Sequence, residues 1–340
     1  MFNDSDDIIV AGIKPSGEIH LGNYLGAILP LVKMQENYKN LFIFIADIHA
    51  LTKPILANNL RKHTEELILV YLASGLDPTK CALFKQSDIS AHAQLSQILT
   101  CYLDVADLTK MPQYKNYCET HRGEAVPAGM LDYVNWMNAD IALYSPDVKS
   151  DQKLKVVCGV DQLPHIYSCR EVLKRFNRIH GETFKLPEAI IAKTGAKIMS
   201  LSDPTKKMSK SESDKGTIYL TDDMETIHKK IMKAKTDAEG KIYYDPENKP
   251  GISNLLTIYA AIKDITIDEA AETFKDETDY GVFKKAVSKV VCDEIHKLQE
   301  NIKKVAKEYN VKSLLNYGKE KVINIARMNL EAIYNRIGIL

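Results

Sequence analysis

At 340 residues and 45% hydrophobic content, the chain is long enough for about two soluble domains, and it has no apolar run near the roughly 18 residues of a membrane span. Its 45 basic and 45 acidic residues cancel, so net charge announces no polyanionic partner. The six cysteines (Cys81, Cys101, Cys118, Cys158, Cys169, Cys292) form no CxxC pair and the start MFNDSDD is acidic, which argues against metal clusters, disulfides and a secretion signal and for a reduced, cytoplasmic protein.

In chain order, DIIVAGI (7–13) reads as a strand, and GNYLGAILPLVKMQ (22–35) as a helix leaving the glycine-rich turn that follows it. LFIFIADIHALT (41–52) reads as a buried strand with Asp47 and His49 at its end. NNLRKHTEELILVYLASGL (58–76) has apolar residues three and four apart and stops at Gly75 and Pro78, the marks of a helix. CALFKQSDI is a further strand, AHAQLSQILTCYLDV and MLDYVNWMNADIALY are helices, and KVVCGVDQ is a strand feeding the helix LPHIYSCREVLKRF. Nearly continuous apolar strands alternating with helices predict an α/β fold: a Rossmann-like, doubly wound parallel sheet covered on both faces. Ligands bind such sheets beyond the carboxyl ends of the strands, where GIKPSG and CGVDQ both fall.

After about residue 200 the character changes. LSDPTKKMSKSESDKGT is a polar loop, and from Thr221 onward nearly everything reads as amphipathic helix. The expected organisation is an α/β unit over 1–205, with the loop 204–216 at the boundary, a C-terminal α-helical domain over 206–318, and a last helix over 319–340 packing back on the first unit. From Lys284 to Leu340 ten Lys and two Arg stand against six acids, a solvated face unless RNA is the partner.

In the turn itself, Gly12, Gly17, Gly22 and Gly26 permit close backbone approach, Pro15 stiffens the chain, and the following helix directs its first amides into the cleft. That favours phosphate. The stretch is neither GxGxxG nor a P-loop, so an ordinary tight turn stays open on these residues alone.

PSGEIHLGN (15–23) resembles the HIGH signature of class I aminoacyl-tRNA synthetases, and KKMSKS (206–211) resembles their KMSKS loop, in the family's order. GIKPSG, FIADIHALT, GVDQLPHI, DPTKKMSKS and KPGISNLL extend the resemblance to the tryptophanyl-tRNA synthetase family over nearly the whole chain. The resemblance implies that ATP lies on the turn, with His20 and Asn23 at the nucleotide; Asn23 stands where HIGH ends in His. It also implies ATP contacts from Gly12, Lys14, Ser16 and Gly22, from Lys115 on a mobile loop, and from Met208, Ser209 and Ser211. Lys14 occupies a position where many relatives carry Gln.

Amino-acid activation is attack of a carboxylate on the α-phosphorus of ATP. Its nucleophile is already anionic, so it needs in-line positioning and cations near the leaving pyrophosphate rather than a Ser–His–Asp apparatus. Lys207 and Lys210 suit that role, with Mg²⁺ carried by the phosphates and waters and no protein metal site.

For the amino acid, Tyr133, Met137 and Asp140 stand at i, i+4 and i+7 on one helix face. A core stripe accounts for the first two, but a buried carboxylate needs a donor, and an indole N–H is a donor only. By resemblance the tyrosine-specific relatives also carry an Asp here, against the phenol, so Asp140 alone does not decide; Met137 stands where they carry Gln, and a soft apolar side chain suits an indole. By resemblance Gln162 meets the α-amino group, and His49, Val10, Ala46 and Cys158 complete the pocket. His165 reads as readily as a packed core histidine. No editing insertion interrupts the sheet, consistent with a side chain recognised by its own hydrogen bond. The implied activity is tryptophan activation and transfer to tRNA(Trp) by a homodimer whose basic helical domain holds the RNA. A tyrosine-specific ligase, a small-molecule nucleotidyltransferase and a non-catalytic RNA-binding paralogue are the alternatives.

Overall fold

Five parallel strands, β1 (Ser5–Ile13), β2 (Tyr38–Ile45), β3 (Ala82–Lys85), β4 (Leu154–Cys158) and β5 (Glu188–Ile191), lie in the order β3-β2-β1-β4-β5. The structure is a computed structural model that describes residues 5–15, 17–52, 54–191, 197–210 and 215–340. Along each strand the side chains divide by twos. Ile9, Ala11, Leu41, Ile43 and Leu83 enter one core, while Ile8, Val10, Phe42, Phe44 and Phe84 enter the other. This is the strand period with both faces buried, the pattern that the continuous apolar runs predict. The chain winds outward from β1 in both directions, so the order reverses between β1 and β4, and a cleft opens at their carboxyl ends.

Between the strands run α1 (Leu21–Asn23), a π-helical stretch Tyr24–Ile28, α2 (Leu29–Met34), α3 (Asp47–Ala50), α4 (Ala57–Ala73), α5 (Ala91–Thr100), α6 (Val105–Thr109), α7 (Pro112–Thr120), α8 (Ala128–Ala142) and α9 (Leu163–His180). After β5 come α10 (Met224–Met232), α11 (Pro250–Lys263), α12 (Ile267–Thr273), α13 (Tyr280–Glu308) and α14 (Val311–Ile337). Residues of α4, α10, α11 and α13 share the first core, and those of α5, α8 and α9 fill the second. The helical half therefore continues the hydrophobic core of the sheet instead of forming a separate one.

The last helix joins both cores: α14 gives Leu314 and Leu315 to the first, and Val322, Ala326, Leu330 and Ile333 to the second. It crosses β3 so closely that a Cβ at Gly318 would stand 2.6 Å from the carbonyl carbon of Leu83. Lys321 donates to the carbonyls of Pro78, Thr79 and Cys81 at 2.8–2.9 Å.

Two elements differ from the sequence expectation. The strand read over 41–52 ends at Ile45, and Asp47–Ala50 is a helical turn. Asp47 lies in its first turn, where a carboxylate favours helix, and accepts the Ser87 amide at 3.0 Å. The fifth strand was not expected, since four residues on a sheet edge, three of them exposed, carry no legible period.

Candidate active site

β1 delivers the glycine turn into the cleft. Gly12 pairs with Phe44 across the ladder, and a Cβ there would stand 2.6 Å from Cε2 of that ring. Only glycine lets the strand and the ring share this wall. Gly17 takes φ +78°, in the region that glycine enters without strain, and its amide donates to Nδ1 of His63 at 3.1 Å.

His20 and Asn23 form a reciprocal cap at the start of α1. Nδ1 of His20 accepts the Asn23 amide, and Oδ1 of Asn23 accepts the His20 amide, each at 3.3 Å. The pair expected at the nucleotide thus spends these atoms on shaping the helix start. Asn23 still lines a small cavity of about 80 Å³ beside the turn, with Lys14, Gly17, His63 and Lys210. Gly22 lies against the His20 ring and Cβ of Met208.

The lysine-bearing loop is brought to this turn by two short antiparallel pairings. Residues 198–200 pair with 206–208, through Ser200 N–H to Lys206 O at 2.8 Å and Met208 N–H to Ile198 O at 3.0 Å. Residues 218–220 pair with 19–21, through Leu21 N–H to Ile218 O at 2.8 Å and Leu220 N–H to Ile19 O at 3.0 Å. In consequence Nζ of Lys210 donates to the Gly17 carbonyl at 3.2 Å. The two motifs, remote in sequence, abut.

Lys210 is a perturbed amine. Burial pushes its pKa down to about 8, with help from the charge of Lys14 and against the pull of Glu18. Lys207 is exposed and its charge reaches Asp161: burial works against ionisation of that carboxyl, but the Gln162 side chain and Lys207 outweigh it and keep its pKa below the ordinary value. Ser209 accepts the Thr217 hydroxyl on its carbonyl at 2.6 Å.

Four further residues were expected on the ATP side: Met208, Lys115, Ser16 and Ser211. Met208 is 2% exposed and its side chain packs in the first core. Lys115 is exposed on α7 and lines neither cavity; the Pro112 start and helical spacing make this segment a helix rather than a loop. Ser16 and Ser211 lie outside the described residues.

Beside the turn, at the β1–β4 reversal, is a cavity of about 280 Å³. All eight residues expected for the amino acid line it: Val10, Ala46, His49, Tyr133, Met137, Asp140, Cys158 and Gln162. Gly12 and Lys14 do so too, with Nζ of Lys14 5.8 Å above the Tyr133 ring. Lys14 thus borders both cavities. Phe44 and Val156 add apolar walls that strand alternation could have supplied, and Ile141 of α8 adds a third.

Asp140 is 1% exposed at this cavity. A buried carboxylate needs donors, and it has them within the protein, which single-helix spacing could not reveal. Nε2 of Gln86 donates to both of its oxygens at 2.8 Å. Nδ1 of His92 lies 2.7 Å from Oδ1 without hydrogen-bond alignment. Burial and then the charge of Asp140 push the Tyr133 hydroxyl pKa up, and burial pushes the Cys158 thiol up to about 11, so both stay neutral near pH 7. His165 is fully buried and paired with Gln113. Burial lowers its pKa, as befits a packed neutral ring.

Taken together, a cavity of apolar walls and one buried carboxylate meets a glycine turn and two lysines. Comparison with known proteins agrees. The family model for class I tRNA synthetases (W and Y) matches residues 3–300. The chain is 42% identical over 334 residues to the tryptophan--tRNA ligase of Caldanaerobacter subterraneus subsp. tengcongensis, covering 98% of each. It is similar to the crystal structure of tryptophanyl-tRNA synthetase from Mycoplasma pneumoniae, with TM-score 0.89, 31% identity and coverage of 98% of this chain and 97% of that one. It is also similar to the Campylobacter jejuni enzyme complexed with ADP and tryptophan, with TM-score 0.76, 28% identity and coverage of 97% and 99%.

Proposed function

The chain belongs to the class I tRNA synthetases of the tryptophan and tyrosine group, and we infer that it is a tryptophan--tRNA ligase. It activates L-tryptophan with ATP to tryptophanyl-adenylate and pyrophosphate, then transfers tryptophan to the 3′ end of tRNA(Trp). The observation that carries the choice of amino acid is the pairing of Asp140, a buried acceptor, with the soft side chain of Met137 at the wall of one cavity. An indole brings one donor and a large apolar surface, which is what such a site takes.

In this reading Val10, Ala46 and Cys158 hold the indole, with His49, Tyr133 and Gln162 near the amino acid's polar end. The tryptophan carboxylate attacks the α-phosphorus in line, and the bond to pyrophosphate breaks. Lys207 and Lys210 stabilise charge on the departing pyrophosphate, and Ser209 adds a smaller donor. Mg²⁺ enters with ATP, bound by its phosphates. The helical part from about residue 206 receives the tRNA through its excess of lysines. The enzyme works as a homodimer in the cytoplasm, the assembly and compartment that the family resemblance implies; among the described residues no helix is long and apolar enough to cross a membrane.

The test is Asp140→Ala in steady-state pyrophosphate exchange. A hydrogen bond to a charged acceptor is worth about 1.5–3 kcal/mol, so KM for tryptophan should rise by between about tenfold and about 10²-fold, with KM for ATP unchanged. An unchanged KM for tryptophan would remove Asp140 from recognition.

A further inference from the structure

Behind the tryptophan pocket, Gln86 is fully buried in the 3₁₀ turn Gln86–Asp88 that follows β3. We propose that Gln86 is a positioning residue for amino-acid specificity: its side-chain amide fixes Asp140 and His49 in the one arrangement that presents a carboxylate oxygen to the indole N–H. The proposal rests on the reading that Asp140 meets that N–H.

The hydrogen-bond geometry admits a complete proton assignment. The Gln86 amide nitrogen is 2.8 Å from both Asp140 oxygens and 3.0 Å from Nδ1 of His49, so its two hydrogens serve one group each. Its oxygen accepts the His49 backbone amide at 3.4 Å. Nδ1 of His49 is nearer the Gln86 nitrogen, at 3.0 Å, than its oxygen, at 3.3 Å, which makes Nδ1 the acceptor; His49 then carries its proton on Nε2 and donates it to the Tyr133 carbonyl at 3.3 Å. The reverse orientation of the amide would set its carbonyl oxygen against the carboxylate, so the amide has one stable placement. On the far side Oδ1 faces His92, whose Nε2 is 2.9 Å from the hydroxyl of buried Tyr144. Oδ2 lies 3.6 Å from Nδ1 of His49, beyond hydrogen-bond reach, and so retains acceptor capacity for a ligand.

The residue type matters. A lysine or arginine at position 86 would hold the carboxylate in a charge-assisted pair and compete with the indole. A neutral amide orients the carboxylate while leaving its charge available. It also links Asp140 to His49, and so ties two elements of the cavity wall, α8 and α3, into one unit.

The experiment is pyrophosphate exchange with tryptophan and with 3-benzothienylalanine, which carries sulfur in place of the indole N–H. The full chain is used as wild type, Gln86→Met and Asp140→Ala. The expected result is that Gln86→Met lowers the ratio of kcat/KM for tryptophan over the analogue by about tenfold, with KM for ATP unchanged, and that Asp140→Ala lowers it further. If Gln86→Met does not fold, Gln86→Asn keeps the amide but withdraws it by one methylene, and the same fall in ratio is expected. An equal loss with both amino acids, leaving the ratio at the wild-type value while Asp140→Ala lowers it, would make Gln86 merely structural and overturn the proposal. A wild-type ratio in Asp140→Ala would instead overturn the reading on which it rests.

Discussion

Lys210 should lose its proton near pH 8, because burial disfavours its charge and Lys14 repels it, with Glu18 opposing both. His63 lines the same small cavity. The sign follows directly: the cation is present below about pH 8 and is lost as pH rises through it. Since kcat/KM for ATP reports the free enzyme, it should fall about tenfold per pH unit above about pH 8. Bound phosphates favour the charged amine, so the corresponding limb of kcat should lie at higher pH. Lys14→Gln removes the second cause of the shift and leaves the first, so its limb should move upward yet stay below the ordinary lysine value of about 10.4. The assay is pyrophosphate exchange at subsaturating ATP between about pH 6 and about pH 10, where calorimetry should also show proton uptake on ATP binding near pH 8. A profile flat to about pH 9.5, or a limb that stays in place in Lys14→Gln, would refute the reasoning.

Lys207→Ala should cut kcat for exchange by about 10²-fold to about 10³-fold while leaving KM for tryptophan unchanged, since fixed cations act on developing charge. Gly12→Ala would set a methyl group 2.6 Å from Cε2 of Phe44. The ring lines the cavity, so urea denaturation should show a loss of about 1–3 kcal/mol together with a raised KM for tryptophan. Gly318→Ala meets the backbone of Leu83 rather than a movable side chain, and should lower stability by about 3 kcal/mol with KM for both substrates unchanged in the folded fraction.

The sheet and the glycine turn were legible because they depend on local rules. Ile9 and Val10 reveal two buried faces by their apolar run, and GIKPSG marks a turn at a strand's carboxyl end. The meeting of Gly17 with Lys210 was legible only through the resemblance, as no local pattern links residues so far apart in the chain. Partners contributed from elsewhere stayed hidden. Asp140 was read as needing a donor, with an indole N–H as one, yet Gln86 already supplies a donor from a segment 54 residues away. Met208 belongs to a lysine-rich motif, but its apolar side chain answers to the core. His20 and Asn23 were read for the nucleotide, and the backbone orphans of a helix start claim them first. The turn Asp47–Ala50 continues an apolar run, so composition alone extended the strand through it.

The most direct measurement is ATP–pyrophosphate exchange with each of the twenty amino acids in turn, without tRNA. Exchange with tryptophan alone is the predicted result, since an indole offers Asp140 a group that is a donor only and lays its large ring on the soft side chain of Met137. Exchange with tyrosine would contradict the assignment of the pocket, and no exchange with any amino acid would contradict the ligase itself.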